Sequence, residues 1–207
     1  ALQAADVIFC PATLTKEGLQ KSRSAELLKA LSVTSPLSLF ELPMSKNREA
    51  AWNAYDKVWA QSKALYEQEK RVVIVVEGDA SIYASIHYVL DKLADESVPV
   101  EQLPGIPSFI AAAGLAHLHL IQQEEKLVVI PGTVTLTELD NYLKNKCVPV
   151  IMKLSQCASV VKEYMDMHSE YTYHYFENVG TERAVYLQDR QQILEREIPY
   201  FSLLIIK

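Results

Sequence analysis

The sequence lacks an apolar run long enough to cross a membrane, and it lacks an excess of basic residues. Its 26 acidic and 20 basic residues give a formal charge of −6, so neither a membrane partner nor a nucleic-acid partner is predicted. Cysteine is scarce, and Cys10, Cys147 and Cys157 have neither a disulfide nor a metal spacing. We therefore expect reduced thiols in a cytoplasmic protein.

A metal site and a stacking platform are also poorly supported. His117 and His119 are the closest pair of the five histidines, and no third ligand follows nearby, whereas zinc usually takes at least three protein ligands. The tyrosine-rich run at 171–175 favours an alternating strand over a platform on which bases stack. We predict no metal.

The strongest positive pattern is the unbroken β-branched run Val72–Val76. Such a run predicts a strand that is buried on both faces of a parallel sheet. Gly78 follows and allows a ligand to approach the backbone, while Asp79 and Ser81 are expected to cap a following helix. Because ligands bind beyond the carboxyl ends of strands in α/β sheets, this turn is predicted to bind one.

Strands and helices alternate through the first half, which favours a doubly wound, mostly parallel α/β sheet. The predicted elements are strands at 7–10, 37–42, 71–77 and 98–103, and helices at 22–31, 48–70, 81 to about 94, and 107–116. The apolar stripe of the helix at 48–70 favours core packing, with a wall for a large flat ligand as the alternative. A polar connector at 117–126 predicts two domains, 1–119 and 120–207.

The second half is predicted to be an α/β domain with a mixed sheet. Its expected elements are strands at 127–130, 148–154, 171–177, 182–187 and 200–206, and helices at 136–146 and 158–168. The last three strands have connections too short for crossover helices, so they should pair antiparallel. Thr135 or Thr137 is expected to cap the helix at 136–146, with Glu138 at its positive end.

Four segments, in this order, resemble one family: ALQAADVIFCPAT, VVEGDASIYAS, LPGIPSFIAAAGLAHLHL and EIPYFSLLIIK. Together they resemble the tetrapyrrole methylases, and within them the branch that methylates carbon 20 of precorrin-2. Two departures stand out. Ala80 replaces a proline that is usual in the family, and the family's first strand and glycine-rich loop are absent, so we expect a segment upstream of Ala1.

The resemblance implies a homodimer that binds S-adenosylmethionine in a cleft between the two domains. The residues that it implies for the cofactor site are Gly78, Asp79, Ile82, Tyr83, Ser108 and Met152. It also implies that residues 178–181 and 200–202 reach the adenine. The residues themselves leave plainer interpretations open, because Asp79 could simply cap a helix and Met152 could simply fill the core.

Methyl transfer requires positioning more than side-chain chemistry, so the catalytic residues remain unknown, with Glu77 and Tyr83 as candidate bases. The implied substrate, precorrin-2 or cobalt-factor II, carries many carboxylates, for which Lys153 and Arg183 are possible partners, with a solvated surface charge as the alternative. Two other functions stay open. One is methylation of a different carbon or substrate, and the other is a non-catalytic nucleotide-binding module on the same scaffold.

Overall fold

The computed structural model describes residues 1–14, 20–42, 48–93, 96 and 98–207. The chain divides into two α/β units, Ala1–Gly105 and Ile106–Lys207. The helix Ser108–Leu115 thus lies in the second unit, whereas the sequence-based boundary at 119/120 assigns it to the first domain. That domain boundary stays a prediction, which limited proteolysis would test.

The first unit is built on a mostly parallel sheet. Its elements are β1 (Val7–Leu14), β2 (Gln20–Lys21), α1 (Arg23–Ala30), β3 (Leu37–Glu41), α2 (Arg48–Tyr66), β4 (Val72–Ile74) and α3 (His87–Leu93). β1 pairs in parallel with both β3 and β4, and β2 pairs antiparallel with the end of β1. Helix α1 begins where predicted, because the Ser22 side chain accepts a hydrogen bond from the Ala25 N–H at 3.2 Å.

Several local expectations for this unit are wrong. β4 is short and half-buried, because among the described strands it pairs with β1 alone and is an edge strand. Residues 98–103 form no strand. Helix α3 begins at His87 instead of Ser81, and Ala94 lies outside the described residues. β1 also runs through Pro11 to Leu14, because the fixed φ of proline fits an extended chain.

The aromatic stripe of α2 is divided between the core and the surface. Tyr55, Val58 and Trp59 are buried, which confirms core packing at these positions. Trp52 and Tyr66 remain 50% and 45% exposed.

The second unit contains a five-stranded mixed sheet of order β5-β6-β9-β7-β8. Its elements are α4 (Ser108–Leu115), β5 (Lys126–Ile130), α5 (Leu136–Lys144), β6 (Cys147–Met152), α6 (Ala158–Met167), β7 (Tyr173–Glu177), β8 (Val185–Leu187), α7 (Arg190–Glu195) and β9 (Ser202–Ile206). β5 and β6 are parallel, and the three later strands are joined by antiparallel pairing, as predicted. Helix α7 was not predicted.

The core of this unit lies around its central strands. Every residue of β7 and of β9 is buried, so the tyrosine-rich strand does not alternate between core and solvent as expected. Both strands have hydrogen-bonded neighbours on each side. Thr135 caps α5 in a full capping box with Glu138, which decides between the two candidate caps.

All three cysteines of the chain are unpaired in the structure. Cys10, Cys147 and Cys157 are free thiols, and burial raises the pKa of Cys10 and of Cys157. Within the residues that the structure covers, no helix combines the length and the apolarity needed to span a bilayer.

Candidate functional site

In the first unit, the turn after β4 is fixed by the carboxylate of Asp79. Its Oδ1 accepts hydrogen bonds from the Ser81 hydroxyl and from the Ser81 N–H, the latter at 2.8 Å. Its Oδ2 accepts a hydrogen bond from the Gly105 N–H at 2.7 Å. Asp79 therefore caps a tight turn and ties it to a second turn, instead of capping a helix as predicted.

The two glycine turns meet in direct backbone contact. A Cβ on Gly105 would overlap the carbonyl oxygen of Gly78 and would lie 2.9 Å from its carbonyl carbon and 3.1 Å from the Asp79 Cα. Gly78 itself has a φ of 81°, a conformation that glycine adopts readily. Gly78 and Gly105, which the sequence placed at the ends of two separate strands, thus form one corner of the unit.

The pKa values of the two carboxyl groups at this corner, Asp79 and Glu77, are shifted in opposite directions. Hydrogen bonds, first from the Ser81 hydroxyl, then from the Ser81 and Gly105 N–H groups, lower the pKa of Asp79, so its carboxylate stays ionised. Desolvation raises the pKa of Glu77, whose side chain is 43% exposed, and Arg23, whose Nε lies 3.6 Å from Glu77 Oε2, opposes that shift. Glu77 is thus the more easily protonated carboxyl at this corner.

The other predicted residues of this segment follow the same turn. Ile82 is half-buried, and its N–H donates to the Asp79 carbonyl at 3.2 Å. Tyr83 is 47% exposed and has a φ of 51°, a left-handed conformation that is uncommon for a residue with a side chain. Gly78 and Tyr83 are therefore exposed to solvent at this corner. The hydrogen bonds of Asp79 to Ser81 and Gly105 hold its two turns together.

In the second unit, strand register brings Met152 and the segments expected near the adenine to one edge of the sheet, but it does not place Ser108 there. The carboxyl ends of β5 and β6 lie side by side. Met152, the last residue of β6, pairs with Leu203 of β9, and Ser202 pairs with Glu177 at the end of β7. Residues 178–181, 183 and 200–202 therefore lie along this edge together with Met152 and Lys153. The first residue of α4, Ser108, is half-buried.

The turn at 131–133, which the sequence predicts after the strand at 127–130, packs against this edge through Gly132. Gly132 has a φ of 85°, and a Cβ there would lie 2.8 Å from the Lys153 carbonyl oxygen and 3.2 Å from that of Met152. Lys153 itself is left-handed, with a φ of 54°. The dipeptide Pro-Gly marks this turn in the sequence, as it does at 104–105, but it does not indicate that Gly132 contacts Lys153.

Within the described ranges, no three histidine, cysteine, aspartate or glutamate side chains are placed so that they could hold a metal ion. The corner of the first unit offers the exposed backbone of Gly78, carboxylates and hydroxyl groups, and the edge of the second unit offers, by itself, hydroxyl groups and the cations Lys153 and Arg183. These groups suit a polar organic ligand that is bound through its hydroxyl, amine and carboxylate groups.

The sequence matches one family over most of its length. The family described as Tetrapyrrole (Corrin/Porphyrin) Methylases matches residues 1–192. A probable cobalt-precorrin-2 C(20)-methyltransferase of Methanocaldococcus jannaschii is 28% identical over 80% of this chain and 69% of its own length. A precorrin-2 C(20)-methyltransferase of Sinorhizobium sp. is 28% identical over 66% of this chain and 56% of its own.

A third relative, the cobalt-precorrin-2 C(20)-methyltransferase of Salmonella typhimurium, is 26% identical over 74% of this chain and 63% of its own. The chain thus matches between 56% and 69% of the length of these three relatives.

Solved structures show the same fold at lower identity. A cobalt precorrin-4 methyltransferase superposes with a TM-score of 0.68 at 16% identity, over 99% of this chain and 84% of that one. The uroporphyrin-III C-methyltransferase of Thermus thermophilus, solved with S-adenosylhomocysteine, superposes with a TM-score of 0.58 at 16% identity, over 97% of this chain and 96% of that one.

Proposed function

The chain belongs to the tetrapyrrole (corrin/porphyrin) methylases, and from this membership we propose that it transfers a methyl group from S-adenosylmethionine to carbon 20 of precorrin-2 or of its cobalt-containing counterpart. One observation carries the choice of carbon 20. Three relatives from different organisms, at 26–28% identity, share that named reaction. The solved neighbours act on other positions or substrates by name, but their 16% identity supports the fold alone.

The chemical groups at the corner of the first unit and at the edge of the second sheet are of the kinds that bind S-adenosylmethionine. That molecule carries an ammonium, a carboxylate, a ribose diol and an adenine. Gly78 leaves its peptide accessible, and Tyr83 supplies a hydroxyl group that can hydrogen-bond the amine or the ribose. In the second unit, Met152 and the turn at 178–181 supply an apolar surface and backbone groups for the adenine.

The bound sulfonium would supply an already activated methyl group. The chain's task is then to hold the acceptor carbon in line with that methyl, at about 3 Å, and to exclude water. In this proposal Asp79 does not contact the ligand with a spare oxygen. It fixes the Gly78 and Gly105 turns, and the exposed backbone of these turns binds the ligand.

Two further residue roles complete the proposal. Lys153 and Arg183, both on the edge of the second sheet, pair with substrate carboxylates. Glu77, whose pKa burial raises, accepts the proton that leaves the methylated carbon, because a base with a raised pKa is better matched to neutral pH. The Glu77→Gln variant should therefore lower kcat more than it changes the affinity for S-adenosylhomocysteine.

Two measurements test the function. Calorimetry with S-adenosylhomocysteine should detect binding to the full chain; absence of binding would favour a module without this activity. Incubation with S-adenosylmethionine and either precorrin-2 or cobalt-factor II, followed by mass spectrometry, should show the gain of one methyl group.

The position of that methyl group, read by NMR with a ¹³C-labelled donor, separates carbon 20 from every other carbon. Methylation elsewhere would overturn the proposed specificity while leaving the family activity in place. The homodimer that the family resemblance implies is tested by light scattering of the purified chain.

A further inference from the structure

An ion pair between the buried Glu177 and the partly exposed Arg196 lies at this edge of the second sheet. Glu177, the last residue of β7, has a side chain that is only 8% exposed. Arg196 grips both of its carboxylate oxygens, through Nε to Oε1 and through Nη2 to Oε2 at 3.0 Å. The Tyr175 hydroxyl donates a further hydrogen bond to Oε1 at 2.5 Å. The Arg196 hydrogen bonds lower the pKa of Glu177, so the carboxyl is ionised.

The backbone of Arg196 is also fixed by a hydrogen bond. Arg196 is the C-terminal cap of α7, and its carbonyl oxygen accepts a hydrogen bond from Lys162 Nζ at 2.7 Å. Lys162 lies in α6. The ion pair therefore joins the end of β7 to the end of α7 across 19 sequence positions, and the Lys162 hydrogen bond joins α7 to α6.

Two segments begin at this ion pair and lie along the edge of the sheet: the turn at 178–181, which follows Glu177, and the segment at 197–201, which follows Arg196. Asn178 follows Glu177 directly, with a φ of 46°, and its N–H donates to the Phe201 carbonyl at 3.0 Å. The Thr181 hydroxyl closes the turn by donating to the Asn178 carbonyl at 2.8 Å. Residues 197–201 follow Arg196 and lead into β9. The ion pair thus fixes the starting points of the turn at 178–181 and of the segment at 197–201.

We propose that Glu177 and Arg196 are positioning residues for ligand binding at this edge. They do not touch the ligand; they hold the two segments at the separation that the ligand requires. The inference rests on the proposed function, because the ligand it invokes is S-adenosylmethionine. A bidentate arginine pair defines a fixed geometry, which a lysine, as a single point charge, does not.

The test therefore uses Arg196→Lys, which keeps the charge and avoids leaving the Glu177 carboxylate buried without a partner. Glu125→Gln is the matched control. It removes a carboxylate that pairs with Lys207 Nζ at 3.1 Å, next to the start of β5 and the end of β9, at the opposite edge of the same sheet. We expect Arg196→Lys to weaken S-adenosylhomocysteine binding by about tenfold, and Glu125→Gln to lower the melting temperature without weakening binding.

Hydrogen exchange supplies a readout that does not depend on the ligand. Arg196→Lys should accelerate amide exchange at Asn178 and Thr181, whereas Glu125→Gln should not. Unchanged exchange in that turn, or an unchanged dissociation constant in a folded variant, would overturn the positioning role. If the unmodified chain does not bind S-adenosylhomocysteine, the proposed function fails, and the exchange data still decide whether the pair holds the turn.

Discussion

The Gly105 N–H donates a hydrogen bond to Asp79 Oδ2 at 2.7 Å, and so joins two turns that are 26 residues apart in the chain. The same contact brings the Gly105 Cα so close to the Gly78 carbonyl that no side chain fits between them. One carboxylate and two glycines therefore define the corner of the first unit at which we propose that the ligand binds.

The Gly105→Ala variant should disrupt this corner. The new methyl group would overlap the Gly78 carbonyl oxygen, and the obstacle is backbone, which cannot rotate away as a side chain would. We expect a loss of S-adenosylhomocysteine affinity of at least about tenfold, measured by calorimetry, together with a lower melting temperature.

Gly114→Ala is the matched control for that substitution. Gly114 lies in helix α4, and a Cβ there would meet no atom within 4 Å. Because alanine is the better helix former by about 1 kcal/mol, this variant should be as stable as the original chain or more stable, with unchanged affinity. An unchanged affinity in Gly105→Ala as well would contradict the proposed corner.

Variants of Asp79 and Ser81 should lose affinity for S-adenosylhomocysteine in proportion to the number of Asp79 hydrogen bonds that each one removes. Asparagine has a single acceptor oxygen, so Asp79→Asn cannot serve both Ser81 and Gly105, and Asp79→Ala can serve neither. We expect affinity for S-adenosylhomocysteine to fall in the order Ser81→Ala, Asp79→Asn, Asp79→Ala, with the last showing the largest loss. For Asp79→Ala, the loss in binding free energy should exceed the loss in the free energy of unfolding. Equal affinities across this series would remove Asp79 from the site.

The capping box of α5 gives a prediction about stability. Thr135→Ala removes the side-chain oxygen that accepts from the Glu138 N–H at 3.2 Å, which should cost about 1 kcal/mol in the free energy of unfolding. Thr137→Ala, two residues further along the chain, is the control. Its free energy of unfolding should stay within about 0.5 kcal/mol of that of the original chain. Urea denaturation of both variants measures the difference; similar losses in both would contradict the assignment of the cap.

His174 predicts how stability depends on pH. It lies buried in β7, with Nδ1 2.9 Å from the Tyr186 hydroxyl, and burial, followed by the charge of Lys207, lowers its pKa below the ordinary value of 6.5. The unfolded chain therefore binds this proton more readily. The contribution of His174 to stability is present above about pH 6.5 and is lost as pH falls from there through the lowered pKa.

Urea unfolding at about pH 7.5 and 5.5 tests this directly. His174→Gln should narrow the difference in unfolding free energy between the two pH values, whereas His119→Gln, at an exposed position, should leave it unchanged. An equal difference in the original chain and in His174→Gln would show that another group sets the pH dependence.

Some signals that act within a few residues were read correctly from the sequence, whereas the helix expected from Ser81 and the strand expected at 98–103 were wrong. The helix at 22–31 was predicted, and one of the two candidate caps of α5, Thr135, caps it, because a cap and the N–H group that it accepts from are only three positions apart. Burial, by contrast, was assigned to the wrong strand. The run Val72–Val76 looks like a central strand but is half-buried at a sheet edge, while β7 and β9 are buried on both faces. The order of strands in a sheet is not encoded in any one strand.

The site shows the same division. The Gly78 turn was predicted because glycine and aspartate after an apolar strand are a local signal. The role of Asp79 was not, because it depends on Gly105, and the Glu177–Arg196 pair was missed because charged residues 19 positions apart carry no periodic pattern.

By itself, the sequence determined the α/β class, most of the element boundaries in the second half and the glycine turns that carry the family resemblance. All of these depend on residues near one another in the chain. The tertiary structure alone decided which turns meet, which carboxylates are already engaged by protein donors and which strands are buried. The physical reason is that hydrogen bonds such as that between Asp79 and Gly105 form only after folding brings distant segments into contact.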